Sequence, residues 1–181
     1  MIKLMKDKRK KTTEGVTFRI PSNTLTELRE ESDKKQVSLN TLVNQIFKDY
    51  LDWHRYASQG RSIDYPRSVI TRVFDKLTHE QLSEIADDIG RKNFVDLALL
   101  RGEVTISFYL DTIQNWLRVS ALPYKHEING NVHNFIIEHR MGKNFSFFLK
   151  EYNSNILDLL GIKSDFNITD NIVAFKFNMP D

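Results

Sequence analysis

The sequence predicts an α+β protein in two parts: a short strand with two helices, then a mixed domain whose helices pack on a small antiparallel sheet. Three observations carry this prediction. Val16-Thr17-Phe18-Arg19-Ile20 alternates apolar and polar residues with the period of a half-buried strand. Leu39, Leu42, Val43, Ile46, Phe47, Tyr50 and Leu51 fall on one helical stripe. Beyond residue 60 lie 15 of the 20 aromatic residues, enough bulky apolar material for an independent core.

In the first part, Pro21 ends the strand, since proline cannot donate to a ladder and suits the start of a helix. A helix follows over about residues 22–35. Ser22 or Thr24 can cap it, Thr24 with Glu27 fits a capping box, and Leu25 and Leu28 give it a modest apolar stripe. Gln36-Val37 forms a turn, and Ser38 is a suitable cap for the second helix, which runs to about His54 or Tyr56. The stretch ASQGRSIDYPR then reads as a linker. The expected organisation is a basic arm (1–13), a strand-helix-helix module (14–56), a linker (57–67) and an α+β domain (68–181).

Within that domain, residues 68–74 (SVITRVF) look like a strand. A capped helix starts at Thr78 and ends at Gly90, a second covers about 92–101, and a third covers 103–120, broken by Pro123. Residues 132–140 form a strand, Met141-Gly142-Lys143 a turn, and 144–160 a helix ended by Gly161. A hairpin around Asp170-Asn171, with strands at 166–168 and 172–177, closes the chain. The expected order is β-α-α-α-β-α-β-β, and no internal repeat is apparent.

Composition narrows the chemistry. With 40% hydrophobic and 28% charged residues, the chain has the values of an ordinary globular protein. It contains no cysteine, which removes disulfides, thiolate metal sites and cysteine nucleophiles, and is compatible with a reducing cytoplasm. No apolar run approaches the ~18 residues that span a bilayer, and the N-terminus lacks the apolar stretch of a secretory signal. The expected location is therefore cytoplasmic, with no membrane partner. Net charge is only +2, but Lys3, Lys6, Lys8, Arg9, Lys10 and Lys11 stand against the single Asp7 in the first dozen residues. A positive end on a slightly acidic body suits phosphate contact at that end.

A lone strand followed by two helices leaves its backbone groups unpaired. The simplest remedy is antiparallel pairing with the same strand of a second chain, which builds a two-stranded ribbon over a four-helix core. Val16, Phe18 and Ile20 would then face the core with Leu42 and Ile46, and Gly15, Thr17 and Arg19 would face outward. Such a ribbon fits the major groove of double-stranded DNA, where arginine bonds guanine and threonine reads several base edges. The N-terminus of the second helix, at Ser38-Leu39-Asn40, presents N–H groups that suit a phosphate.

The segment GVTFRIPSNTLTELREESDKKQVSLNTLVNQIFKDYL resembles the ribbon-helix-helix family of DNA-binding regulators, through VTFRIPS, LTELREESDKK, QVSLN and TLVNQIFKDYL in that order. The resemblance covers about 40 residues and does not extend to the C-terminal domain. It implies an intertwined homodimer on operator DNA, base readout by Gly15, Thr17 and Arg19, and phosphate clamping by Ser38 and Asn40. Lys8, Arg9, Lys10 and Lys11 of the arm would add phosphate contacts. Two positions depart from the family pattern: Gln36-Val37 replaces the usual turn glycine, and Gly15 offers no side chain to a base.

The C-terminal part offers weaker candidates. His126, His133 and His139 are the nearest histidine cluster, but His133 and His139 are separated by roughly 20 Å of strand at ~3.3 Å per residue, too far to share an ion. They are expected to be surface or capping residues, with no metal and no cofactor. HRMGKNFSFF places His139, Arg140 and Lys143 near a helix N-terminus, where an anion could bind. Phe145, Phe147, Phe148 and Tyr152 read as core or dimer packing. No paired carboxylates and no Ser/His/Asp spacing are present, so no enzyme is expected.

The expected function is a sequence-specific, homodimeric transcription regulator, a repressor. Its C-terminal domain would serve assembly into the dimer or a higher oligomer, or bind a small molecule or protein. The rival expectations are an antitoxin-type regulator whose C-terminal part binds a partner protein, and an architectural DNA-coating protein.

Overall fold

The computed structural model describes residues 13–55, 65–101 and 104–180. It is an α+β chain that divides into two compact units, residues 1–46 and 47–181. The basic arm, with Lys8, Arg9, Lys10 and Lys11, and most of the expected linker lie outside the described residues.

In the first unit, residues 13–20 carry no regular secondary structure, so the expected strand 16–20 is not formed within the single chain, and they lead through Pro21 into α1 (Ser22–Lys34). Pro21 itself occupies the N-cap position and no side chain caps the helix, so the expected Thr24–Glu27 capping box does not form. Starting the helix at Ser22 places Thr24 inside the first turn, beyond capping reach. The turn after α1 carries two nested bonds, Val37 N–H to Ser32 O at 3.0 Å and Gln36 N–H to Asp33 O at 3.0 Å. Gln36 adopts φ 55°, the left-handed conformation that glycine takes in this helix-ending motif. The missing glycine thus leaves the turn's shape intact and costs some backbone strain.

Helix α2 (Leu39–Asp49) starts at Ser38, whose Oγ accepts from Thr41 N–H at 3.1 Å, the cap expected from sequence. It continues through a wider π-helical turn, Tyr50–His54. That turn belongs to the second unit, where Arg118 pairs with Asp49 and reaches Asp52 at 3.5 Å.

The second unit contains α3 (Arg67–Phe74), α4 (His79–Arg101), α5 (Ile106–Val119), β1 (Tyr124–Asn129), β2 (Val132–Glu138), α6 (Lys143–Leu159), β3 (Ser164–Ile168) and β4 (Ile172–Asn178). The four strands form one antiparallel sheet in the order β1-β2-β4-β3. One face is buried and supplies Phe135, Ile137, Val173, Phe175 and Phe177 to the core, with Phe108, Tyr109, Ile113 and Leu117 of α5 and Leu149, Ile156 and Leu157 of α6.

Four sequence expectations are corrected here. Residues 68–74 are helical, not a strand: Ile70 and Phe74, one turn apart, pack on the core while Val69 and Val73 are exposed. The β-branched residues mimic a strand, but the burial has a helical period. Asn144 Nδ2 donates to Phe74 O at 2.9 Å and Leu77 O at 3.0 Å, satisfying carbonyls at the end of α3. Secondly, α4 is continuous and does not stop at Gly90. That glycine admits the close approach of Tyr152, whose ring would lie 3.3 Å from a Cβ at this position.

Thirdly, β1 was not expected. It pairs with β2 across a two-residue loop in which Gly130 takes φ 62°. Fourthly, the unit does contain an internal repeat. Helix α5 with its hairpin β1-β2 and helix α6 with its hairpin β3-β4 are related by a shift of 40 residues. Leu117 maps to Leu157, Ala121 (φ 48°) to Gly161 (φ 71°), Ile128 to Ile168 and Phe135 to Phe175. The hydrogen bonds repeat as well: Leu122 N–H to Leu117 O matches Ile162 N–H to Leu157 O. His139 N–H to Asn171 O likewise matches Met179 N–H to Asn131 O. The two halves pair through β2 and β4 about a local two-fold at Phe135↔Phe175. Few side chains are shared between the copies, which is why the repeat is silent in the sequence.

Candidate nucleic-acid interface

Segment 13–20 is exposed throughout, so Gly15, Thr17 and Arg19 are all at the surface. The alternate side chains are exposed as well: Val16 at 70%, Phe18 at 56% and Ile20 at 37%. Among the described residues no strand pairs with this segment, because every ladder lies in the C-terminal sheet. On α2, Leu42 is buried whereas Ile46, Phe47, Tyr50 and Leu51 are exposed. The expected dimer-core residues therefore divide: Leu42 is buried, and Val16, Phe18, Ile20 and Ile46 are exposed.

At the start of α2, Ser38 Oγ also bonds Thr41 Oγ1 at 2.8 Å. The first N–H to reach a backbone carbonyl is that of Leu42, on Ser38 O at 3.0 Å. The N–H groups of Leu39 and Asn40 therefore stand outside the helix's own ladder, as at any helix start. Asn40 holds Asn44 Nδ2 through its carbonyl at 2.8 Å and its Oδ1 at 3.3 Å, which fixes its side chain along the exposed helix surface.

The histidines differ from their expected placement. His133 and His139 are buried, not on the surface. His139 Nδ1 accepts from Met141 N–H at 3.0 Å, so Nε2 carries the proton and donates to Ser146 Oγ at 2.7 Å. Ser146 is thereby an acceptor from the imidazole, the reverse of an activated nucleophile. Burial lowers the His139 pKa to about 4. The expected anion contact at HRMG is not assembled: His139 is enclosed, and Arg140 is engaged with Glu138 at 2.6 Å. Phe145 is buried in the core, with Phe148 and Tyr152 packed against it, whereas the Phe147 ring stacks on His79 at 4.1 Å.

His126 and His133 come together, a pairing the sequence reading missed because it missed β1. His126 Nε2 lies 2.9 Å from His133 Nδ1. His126 stacks on Phe135 at 3.9 Å and His133 on Phe177 at 5.4 Å. Desolvation lowers both pKa values, and the neighbouring His133 lowers that of His126 further. The Gly130-Asn131 dipeptide, a two-residue hairpin signal, could have revealed the strand.

The fold defines an α+β protein whose C-terminal unit contains a duplicated helix-hairpin. No family model and no curated protein matches this chain. Among the described residues, no helix is long and apolar enough to cross a membrane.

Proposed function

We propose that the chain is a homodimeric, sequence-specific DNA-binding regulator that places a two-stranded ribbon of residues 15–20 in the major groove. The observation that carries this reading is the exposure of the apolar side chains Val16 and Ile20 in a segment directly ahead of two helices, the second of them capped by Ser38. Pairing with a second copy would bury those side chains and satisfy the strand's backbone. Thr17 and Arg19 would then project from the opposite face toward base edges. Ser38 and Asn40 lie at a helix start suited to phosphate. Lys8, Arg9, Lys10 and Lys11 would follow the DNA backbone and make affinity fall steeply with salt.

The C-terminal unit favours this reading over an antitoxin. It has a buried core of its own, whereas a segment that folds only on a toxin would lack one. The test is selection of duplexes from a random pool by the full chain at fixed salt, followed by the same binding with Arg19→Ala. The expected result is an enriched sequence whose preference is lost in the variant. An enriched sequence bound equally well by the variant overturns the ribbon assignment, and the absence of enrichment favours an architectural role.

A further inference from the structure

Strand β1 lies at an edge of the sheet, and among the described residues it pairs with β2 alone. Glu138 N–H donates to Pro123 O at 2.9 Å, which fixes the phase of the β1-β2 ladder. Bonded and non-bonded pairs alternate in an antiparallel ladder, so Lys125↔Ile136, Glu127↔Asn134 and Asn129↔Val132 are the bonded ones. The backbone N–H and C=O groups of Tyr124, His126 and Ile128 therefore point away from β2, along the rim of the sheet. Ile128 is also among the exposed apolar side chains, at 58%.

Such an edge is a template for another strand, and a lone lysine on it usually serves to repel one. Here the charges are complementary to themselves when the strand is reversed. Two copies of β1 can lie antiparallel about a two-fold axis and bond through Tyr124, His126 and Ile128. Centred on Lys125 or on Glu127, that pairing sets like charges directly opposite, which destabilises a ladder. Centred on His126, it sets Lys125 opposite Glu127 of the second copy, and Glu127 opposite Lys125. The same register brings the exposed Ile128 beside Tyr124 of the second copy. Within one chain Lys125 and Glu127 already stand 2.6 Å apart, so the dyad would close an alternating square of four charges. The repeat supplies a comparison. Strand β3 is the other edge, with Asp165 and Asn167 at the matching positions, and its reversal about Phe166 gains no ion pair.

We propose that β1 is the docking edge for a second copy of this chain, paired antiparallel with His126 at the two-fold axis. The two four-stranded sheets then join into one continuous sheet. This interface lies apart from the ribbon of residues 15–20 and does not rest on that reading.

The chain contains no cysteine, so introduced cysteines report without background. In this register positions 125 and 127 of opposite copies are directly opposed, about 4.5 Å apart between Cα atoms, within disulfide reach. Position 125 and its own copy stand on a diagonal of about 7–8 Å, at or beyond that reach, and so do the two copies of position 127. The experiment mixes full-length Lys125→Cys with full-length Glu127→Cys under mild oxidation, beside each variant alone. The mixed pair keeps one Glu127–Lys125 contact and should give a cross-linked dimer, whereas each variant alone should give little. A second readout is amide hydrogen exchange in the unmodified chain. The N–H groups of Tyr124, His126 and Ile128 should be protected, and more so at higher protein concentration. That protection should be lost in Lys125→Glu and return in Lys125→Glu,Glu127→Lys. Both side chains are exposed, so the exchange of charges leaves the core untouched. Cross-linking no stronger in the mixture than in either variant alone overturns the proposal. So does rapid exchange of the three amides at every concentration, or protection that the charge swap does not restore.

Discussion

Phe135 and Phe175 face each other across the two central strands, their rings 5.1 Å apart and 7° from parallel, and each is the other's counterpart in the duplicated helix-hairpin. They sit where the local two-fold passes through the sheet. Both are almost completely buried, and each stacks with a further ring, His126 or Phe166, toward its own edge. The ring row His126-Phe135-Phe175-Phe166 therefore spans all four strands and joins the two halves. Truncating either central ring to alanine should cost about 3–5 kcal/mol, the range for buried phenylalanines. Urea unfolding should give similar losses for Phe135→Ala and Phe175→Ala, since their environments repeat. Ile136→Ala, on the half-exposed outer face, should cost much less.

Gln36 holds a left-handed φ of 55° so that α1 can close into α2. Such a conformation strains a side chain bearing a Cβ, and glycine adopts it freely. Gln36→Gly should therefore stabilise the module by up to about 1 kcal/mol, after allowing for the greater freedom of glycine in the unfolded chain. The check is the unfolding midpoint of the variant against the parent. A lower midpoint would show that the Gln36 side chain contributes more than its backbone strain removes.

Gly90 lies in mid-helix, where glycine is ordinarily unfavourable, and the space around it is already taken by Tyr152. The Tyr152 ring would lie 3.3 Å and its carbonyl oxygen 3.5 Å from a Cβ here, which leaves no room for the atoms of a longer side chain on this face. Gly90→Leu should separate α4 from α6 and cost about 1–3 kcal/mol or more by overpacking. Thermal unfolding followed by circular dichroism would register the loss. An unchanged midpoint would mean that the two helices have slack along this line.

The legibility of the chain followed the length scale of its signals. Short-range chemistry was readable: the Ser38 cap, the start of α1 after Pro21, the closing hairpin around Asp170-Asn171 and the end of α6 before Gly161 all lie within a residue or two of expectation. Where tertiary context decides, the sequence misled. Residues 67–74 have strand-like composition but pack by helical period, and Gly90 reads as a helix stop until Tyr152 is placed beside it. Strand β1 was obscured because Tyr124, His126 and Ile128, which share one face, have a polar residue at their centre and an exposed residue at their end. That one omission also hid the histidine pair and the duplication, since neither exists without β1.

His139 provides a pH-dependent test of the C-terminal unit. In the folded chain its Nδ1 accepts from Met141 N–H and its Nε2–H donates to Ser146, an arrangement that needs the neutral ring. Burial depresses its pKa to about 4, below the ordinary value of 6.5. Above pH 6.5 the ring is neutral in both folded and unfolded chains, and its contribution to stability is fully present. As pH falls below 6.5 the unfolded chain takes up a proton that the folded chain refuses, so stability declines until the folded pKa near 4 is passed. The loss across that window is on the order of 2–3 kcal/mol from this residue. His126 and His133 are depressed in the same direction and add to the slope. The measurement is therefore a difference: urea midpoints between pH 7.5 and 4 for the parent and for His139→Gln, whose amide can donate to Ser146 without titrating. The variant should be less stable at pH 7.5, yet lose less on acidification. Parallel pH profiles for the two proteins would mean that the His139 ring is not held neutral by its surroundings.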